Sequence, residues 1–172
     1  MIYFMRHGET DYNQEKRLQG HLDIPLNETG IAQANEALEY SKQLKLDEIY
    51  SSPLSRAKQT ADIINSFHKV KITTDDRLKE VCMGNLQGTL LSDLSEEDRA
   101  LSFSHLEHFG GESTAEFNFR VESFFKEIEN SSKNILIVAH GGVFRAIYRY
   151  INNINNNEYI PLQNATIIKI KD

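Results

Sequence analysis

The chain has 172 residues, of which 40% are hydrophobic and 26% charged, a composition typical of one globular domain with a sizeable core. Its formal net charge of −6 argues against a general nucleic-acid-binding or anionic-membrane-binding surface, which would need a basic face. Cys82 is the single cysteine and excludes an intrachain disulfide. The N-terminus lacks the pattern of a signal peptide and no apolar run is long enough to span a membrane, so the cytoplasm is the predicted location.

The first half of the chain alternates short apolar runs with segments of helical periodicity. Short apolar runs predict strands, and apolar residues that recur every three or four positions predict helices. Ser52 followed by Pro53 predicts a helix start, with Ser52 as N-cap and Pro53 in the first helical position. These rules predict strands at 2–6, 47–50 and 70–73, helices at 29–44 and 53–67, and a polar loop at 8–28.

The second half begins with a segment that has no clear period, residues 83–112. It contains several leucines and Phe103 but also four glycines, which predicts a loop insertion with short helices, of the kind that often forms a lid. Ser113 and Glu116 then form a capping box that opens a helix. The remaining predicted elements are that helix to about 129, a buried strand at 134–139, a helix to about 152, an asparagine-rich loop at 152–157 and an edge strand at 165–170.

Strands that alternate with helices predict an α/β fold, here a three-layer α/β/α sandwich with a mainly parallel central sheet. Because the chain shows no internal repeat and no linker, residues 1–172 are predicted to form a single domain with a lid-like insertion at about 83–112. The expected oligomeric state is a monomer or a homodimer.

Two of the predicted strands have similar endings. The first strand ends in Arg6-His7-Gly8, and the buried strand at 134–139 ends in His140-Gly141-Gly142. If both strands run parallel, both histidines emerge at the same edge of the sheet, where α/β folds bind ligands. The glycines would let the backbone turn sharply and approach a ligand closely.

The residue types at this edge suit a phosphate monoester. Arg6 and Arg56 can each offer a planar fork of donors to phosphate oxygens. A neutral His7 could attack phosphorus and form a phosphohistidine, while His140 stabilises charge on the equatorial oxygens. The leaving alkoxide needs a proton, and Glu80, after the third strand, is the best-placed carboxylic acid. A metal site at His7, His140 and Glu80 is rejected, because the two arginines would repel a cation.

Three other carboxylates compete with Glu80 for the role of acid on residue type alone: Glu9, Glu48 and Glu112. The roles of His21, His105 and His108 are also left open, since each could lie at the surface or touch a substrate.

The motifs of this sequence resemble those of the histidine phosphatase superfamily, in the branch that contains cofactor-dependent phosphoglycerate mutases and small phosphatases. The resemblance covers essentially the whole chain, and the order and spacing of its motifs together are highly specific. The motifs are Arg6-His7-Gly8-Glu9-Thr10 with Asn13, Arg17-Leu18-Gln19-Gly20, Ser51-Ser52-Pro53-Leu54-Ser55-Arg56-Ala57, Leu78-Lys79-Glu80, Gly111-Glu112-Ser113 and Ala139-His140-Gly141-Gly142-Val143.

The resemblance implies a phosphoglycerate mutase-like fold and a role for each matching residue. It implies that His7 is the phosphorylated nucleophile and that Glu80 is the general acid, which later activates water. It implies that Arg6, Arg56 and His140 complete the phosphate pocket, and that Asn13, Gln19, Gly20 and Gly141 belong to the substrate site. It implies no metal and no other cofactor. One departure is Asn85-Leu86, where many phosphatases of the family carry an acidic residue or tryptophan.

The insertion favours hydrolysis of a small phosphomonoester. Between Leu86 and Glu112 there are six acidic residues and one arginine, Arg99, a balance that disfavours a bisphosphate. The expected substrate is therefore a small monoester such as α-ribazole-5′-phosphate or a sugar or nucleoside monophosphate. The alternatives are a cofactor-dependent phosphoglycerate mutase and a non-catalytic phospho-ligand-binding protein.

Overall fold

The computed structural model describes residues 1–102, 105–154 and 160–172. Within these residues one sheet is built from strands β1 (Ile2–Arg6), β2 (Glu48–Ser51), β3 (Lys71–Thr74), β4 (Ile135–Ala139) and β5 (Ile167–Lys171). The strands lie in the order β3-β2-β4-β1-β5, with β5 antiparallel to β1 and the other neighbours parallel. The predicted mainly parallel sheet and the predicted C-terminal edge strand are therefore confirmed.

The helices of the described residues connect these strands. They are α1 (Asp11–Gln14), α2 (Glu28–Ser41), α3 (Ser55–His68), α4 (Glu96–Leu101), α5 (Thr114–Ile128) and α6 (Gly141–Asn152). Short 3₁₀ turns lie at Asp76–Leu78, Gly84–Leu86, Leu91–Asp93 and Leu106–Phe109. No helix in the described ranges is long and apolar enough to cross a membrane.

The helices cover the two faces of the sheet, because successive side chains of a strand point to opposite faces. Met5 and Val138 face one layer, where they pack with Ala61 of α3 and with α2. Phe4 and Ile137 face the other layer, where they pack with α5 and α6. The predicted three-layer α/β/α sandwich is therefore confirmed, and β4, buried along its whole length, lies at its centre.

The predicted loop at 8–28 contains a short helix, α1, that the sequence analysis missed. Thr10 is its N-cap: Thr10 Oγ1 accepts from the Asn13 amide at 3.2 Å, and Asn13 Oδ1 accepts from the Thr10 amide at 3.2 Å. The usual capping box carries Glu or Gln where this chain has Asn13, which hid the signal.

The predicted start of α3 is wrong by two residues. The helix begins at Ser55 with Leu54 as N-cap, and Pro53 precedes it. The Asp23 carboxylate supplies the cap instead, since it accepts from the Ser55 amide at 2.6 Å and from the Ser55 hydroxyl at 2.8 Å. This long-range partner frees Ser52 for a contact with His140.

The 83–112 segment contains short helical turns, as predicted, and it packs onto the loop after α1. Leu18, Leu86 and Leu106 form a small apolar cluster between the two. The Leu18 amide donates to Thr89 O at 3.0 Å. Phe103 of this segment and residues 155–157 of the predicted asparagine-rich loop lie outside the described residues.

Candidate active site

The parallel pairing of β1 with β4 brings the two histidines together. Arg6 is in register with Ala139, and the His7 amide donates to Ala139 O at 3.0 Å. The His7 and His140 ring centroids are 5.2 Å apart, and the residues are only 3% and 0% exposed. The structure therefore confirms the prediction that both histidines lie at the same edge of the sheet.

His7 is held as a neutral imidazole with one free ring nitrogen. Its Nδ1 lies 2.7 Å from Gly8 O, and because a carbonyl only accepts, Nδ1 carries the proton. Burial, followed by the charges of Arg56 and Arg6, holds the pKa of His7 well below the ordinary 6.5. The Nε2 lone pair is therefore available at neutral pH.

The backbone around His7 is fixed by partners that are distant in sequence. Thr60 Oγ1 accepts from the Gly8 amide at 3.1 Å, and Asn164 Nδ2 donates to His7 O at 2.9 Å. A Cβ on Gly8 would collide with the carbonyl oxygen of Gly30, so close packing against α2 requires glycine there. No local pattern predicts this contact, because Asn164 and His7 are 157 positions apart in the sequence.

His140 presents a buried donor. Its Nε2 lies 2.8 Å from Ser52 Oγ, which also accepts from the Leu54 amide at 3.3 Å. When the hydroxyl donates to Nε2, Nδ1 carries the ring proton. This Nδ1 is buried and has no hydrogen-bond partner among the described residues. Burial and the charge of Arg56 lower the pKa of His140 well below 6.5, so the ring is neutral when the site is empty.

Arg56 contributes a buried guanidinium group to the candidate anion site. It is 1% exposed, and its Nη1 and Nη2 donate to Leu22 O at 2.7 Å and Gly20 O at 2.9 Å. Its Nε is buried without a partner among the described residues, and burial lowers the pKa of Arg56 to about 10. The side chain is still cationic at neutral pH and keeps Nε–H available to an anion. Gly20 reaches this position with φ +50, a left-handed value that favours glycine.

The other predicted contact residues have the following environments. Arg6 ends β1, donates from Nη1 to Leu162 O at 3.0 Å, and would lie with its Nε 3.8 Å from a Cβ at Gly141. Gln19 is 9% exposed, and its Oε1 has no partner among the described residues. Asn13 uses Oδ1 in the cap of α1, so a contact with phosphate would come from Nδ2.

Glu80 lies against the first turn of α6. Its Oε2 accepts from the Gly142 amide at 3.1 Å and its Oε1 from the Val81 amide at 3.0 Å. A Cβ on Gly142 would collide with Glu80 Oε1, so this close approach needs glycine. The carboxylate is therefore next to the segment that carries His140.

The three competing carboxylates have other environments. Glu48 begins β2 at the opposite edge of the sheet and pairs with Lys133. Glu112 pairs with Arg120 at 2.6 Å, and Glu9 Oε1 accepts from Asn27 Nδ2 at 3.1 Å.

Arg120 on α5 holds the Glu80 segment in place. Its guanidinium donates to the carbonyl oxygens of Arg77, Lys79 and Glu80 at 2.7, 2.8 and 2.9 Å. It also pairs with both carboxylate oxygens of Glu112 at 2.6 and 2.8 Å. No local pattern marked this arginine, because the three carbonyl groups it binds lie 40 or more positions away.

The remaining histidines separate into two groups. His21 is half-buried, and its Nε2 lies 2.7 Å from Glu80 O, so it supports the backbone of the candidate acid. His105 and His108 are exposed on the 83–112 segment.

The two buried histidines predict a loss of stability in acid. A histidine whose folded pKa is lowered binds its proton more readily in the unfolded chain. This destabilisation is absent well above pH 6.5. It grows as the pH falls below 6.5, until the pH reaches the lowered pKa of each histidine in the folded protein. At pH 5.5 we expect each histidine to reduce the free energy of unfolding by at most about 1.4 kcal/mol. Thermal unfolding at pH 7.5 and 5.5 measures this.

The matched comparison for this effect is His7→Gln, which removes one of the titrating groups. Its melting temperature should fall less between pH 7.5 and 5.5 than that of the wild type. An equal fall in both proteins would show that His7 is not the group responsible.

Comparison with known proteins agrees with this geometry. The family model of the histidine phosphatase superfamily (branch 1) matches residues 2–171. Phosphoglycerate mutase-like protein 4 of Arabidopsis thaliana is 37% identical over 158 residues, covering 86% of this chain and 69% of the relative. The uncharacterized phosphatase PhoE of Bacillus subtilis is 37% identical over 153 residues, covering 88% and 77%.

A solved structure is similar over nearly the whole fold. Mycobacterial glucosyl-3-phosphoglycerate phosphatase in complex with VO3 superposes with a TM-score of 0.87 at 28% identity, covering 96% of this chain and 90% of that one. The chain therefore belongs to the histidine phosphatase superfamily, as the motifs indicated. It is a hydrolase that acts on phosphate monoesters.

Proposed function

We propose that the protein hydrolyses a small phosphate monoester by transferring its phosphoryl group to His7 Nε2. The observation that carries this proposal is the state of His7: it is buried and neutral, with Nδ1 committed to Gly8 O and Nε2 left as a nucleophile. Three buried polar atoms have no hydrogen-bond partner among the described residues, namely Arg56 Nε, His140 Nδ1 and Gln19 Oε1, which supports a site for a polar ligand.

In the first step His7 Nε2 attacks phosphorus in line with the ester oxygen. The N–P bond forms as the P–O bond to the alcohol breaks, and a protonated Glu80 gives its proton to the departing oxygen. Arg6 and Arg56 hold the charged equatorial oxygens, and His140 Nδ1–H donates to one of them. Gly8 O stabilises the positive charge that develops on the His7 ring, because it accepts the Nδ1 proton.

In the second step the carboxylate of Glu80 takes a proton from water. The resulting nucleophile attacks the phosphohistidine, the N–P bond breaks, and inorganic phosphate leaves with His7 restored. Asn13, Gln19, Gly20 and Gly141 line the entrance for the alcohol part of the substrate in this proposal. No metal takes part in either step.

The substrate is proposed as a small monoester of the α-ribazole-5′-phosphate or sugar or nucleoside monophosphate type. A small organic phosphomonoester is supported by the similar fold of a protein named as a glucosyl-3-phosphoglycerate phosphatase. The cytoplasmic location, the single-domain organisation with a lid at 83–112, and the monomer or homodimer state stay predictions.

A mutase is the second candidate, since the Arabidopsis relative bears the name of a phosphoglycerate mutase-like protein. A mutase returns the phosphoryl group to the substrate rather than to water. A coupled assay with 3-phosphoglycerate and a bisphosphate primer separates the two, because the hydrolase releases phosphate without forming 2-phosphoglycerate.

The direct test of the proposed function uses p-nitrophenyl phosphate in the presence of a chelator. We expect turnover that is unaffected by EDTA and strongly inhibited by vanadate. Quenching the reaction in alkali should trap a phosphoenzyme that is stable in base and labile in acid, as a phosphohistidine is. Activity that disappears with EDTA and returns on addition of a divalent metal would contradict the mechanism.

A further inference from the structure

The backbone around His21 is anchored to the arginine of the candidate anion site. Arg56 donates to the carbonyl groups on both sides of this histidine. Its Nη2 donates to Gly20 O at 2.9 Å and its Nη1 to Leu22 O at 2.7 Å. The next residue, Asp23, accepts from the first amide of α3 at 2.6 Å. These contacts hold the backbone of His21 in a fixed position relative to Arg56.

The 83–112 segment holds the same backbone from another direction. Gln87 Oε1 accepts from the His21 amide at 2.7 Å and from the Met83 amide at 3.4 Å. A Cβ on Gly20 would collide with Gln87 Oε1, so this close approach requires glycine. The backbone of His21 is thus anchored on both its amide and its carbonyl neighbours, which directs the half-buried ring toward one target.

That target is the backbone of Glu80. His21 Nε2 lies 2.7 Å from Glu80 O, and because a carbonyl only accepts, Nε2 carries a proton whether the ring is neutral or cationic. Glu80 O also accepts from Arg120 Nη2 at 2.9 Å. Two donors from separate parts of the chain, the loop around His21 and helix α5, therefore hold one carbonyl oxygen.

The peptide group that carries this oxygen also orients the carboxylate of Glu80. The nitrogen of the same peptide group belongs to Val81, and its N–H donates to Glu80 Oε1 at 3.0 Å. Because a peptide bond is planar, the direction of the carbonyl fixes the direction of the N–H group. A contact on Glu80 O therefore acts on the position of the carboxylate through one rigid plane.

The electrostatics of Arg56 agree with a short path between the arginine and this carboxylate. Burial lowers the pKa of Arg56, and the charge of Glu80 is the largest effect that opposes this shift. An acid that protonates the leaving oxygen must lie at a set distance from the phosphoryl group that the arginine holds. The loop around His21 is in contact with both groups.

We propose that His21 is a positioning residue for proton transfer by Glu80. Its Nε2–H holds the peptide plane between Glu80 and Val81 at a fixed place relative to Arg56, so that the carboxylate reaches the leaving oxygen and later the attacking water. The inference rests on the proposed function, since it assumes that Glu80 is the acid and then the base of the reaction.

The test compares His21→Gln with His21→Asn. The amide nitrogen of glutamine is as many bonds from Cβ as Nε2 of histidine, whereas that of asparagine is one bond closer and cannot reach Glu80 O. Two quantities are measured with p-nitrophenyl phosphate: kcat/KM, and the rate constant for decay of the phosphoenzyme in an alkaline-quench time course after a limiting amount of substrate is consumed.

In His21→Asn we expect the phosphoenzyme to decay about tenfold more slowly. A displacement of about 1 Å costs on the order of 10²-fold, and Arg120 still holds Glu80 O. Its kcat/KM should stay within about threefold of the wild type, because p-nitrophenolate leaves without a proton. In His21→Gln both quantities should stay within about threefold, since the donor is restored.

The matched control is His68→Asn, which removes a half-buried histidine that bonds to Ser41 Oγ at 3.0 Å. It should leave the decay rate constant unchanged. This rate constant is measured only on molecules that have already been phosphorylated, so a smaller folded fraction does not alter it. If His21→Asn does not fold, His21→Phe, which also lacks the donor, replaces it with the same expectation.

Three results would overturn the positioning role. They are an unchanged decay rate constant in His21→Asn, an equal slowing in His21→Gln, and a fall in kcat/KM as large as the fall in the decay rate constant. The last result would mean that His21 acts on substrate binding or on phosphorylation instead. Absence of turnover and of any phosphoenzyme in the wild type would contradict the proposed function itself, and this inference with it.

Discussion

Replacement of His7 by alanine is expected to lower kcat for every phosphomonoester by on the order of 10⁴-fold or more. The change removes the nitrogen that accepts the phosphoryl group, and no other described side chain shares its position beside His140. The same variant should yield no phosphoenzyme in the alkaline quench. Steady-state kinetics with p-nitrophenyl phosphate and the quench assay measure both effects.

The matched control is His68→Ala, which removes a half-buried histidine at the end of α3. His68 Nε2 lies 3.0 Å from Ser41 Oγ, so its loss lowers stability without touching the pocket. We expect kcat within about threefold of the wild type at a temperature where the variant is folded. Comparable phosphatase activity in His7→Ala would exclude the phosphohistidine mechanism.

Replacement of Glu80 by glutamine is expected to affect alkyl and aryl esters differently. For an alkyl ester kcat/KM should fall by about 10²–10⁴-fold, because an alkoxide leaves poorly without a proton. For p-nitrophenyl phosphate kcat/KM should fall by less than about tenfold, because p-nitrophenolate is a stable anion and kcat/KM reports phosphorylation only. Hydrolysis of the phosphohistidine also needs Glu80, so the aryl ester should give a burst of p-nitrophenolate followed by slow turnover.

Glu48→Gln is the control for this experiment, since Glu48 was a competing candidate and pairs with Lys133 at the far edge of the sheet. Both kcat/KM values should stay within about threefold of the wild type. An equal loss for alkyl and aryl esters in Glu80→Gln would show that Glu80 does not protonate the leaving group.

The proximity of the two histidines could be predicted from sequence because both follow strand ends. His7 and His140 each follow a short apolar run, and the parallel pairing of these runs was sufficient to expect their proximity. Ser52 was found but misinterpreted: its serine-proline pattern predicts a helix cap, whereas the hydroxyl bonds to His140. Arg120 was not found at all, because an arginine in the middle of an amphipathic helix looks like a solvated charge.

The acidic 83–112 segment also shows that sequence patterns do not reveal the contacts of individual side chains. Its composition suggested a pocket that repels a second anion. Composition does not report direction, however: Asp93, Glu96, Glu97 and Glu107 are exposed, and Glu112 pairs with Arg120. The direction in which each carboxylate points was decided by the packing of this segment.

The sequence by itself determined the alternation of strands and helices, the three layers and the pair of histidines at one sheet edge, because periodicity and strand endings are local properties of the chain. Only the tertiary structure decided the protonation of His7, the approach of Glu80 to Gly142, and the support of Glu80 by Arg120. These depend on burial and on contacts between segments 40 or more residues apart, which no local pattern encodes. The motif Arg6-His7-Gly8 therefore predicted the chemistry, and the packing around it set the charge and geometry with which that chemistry is carried out.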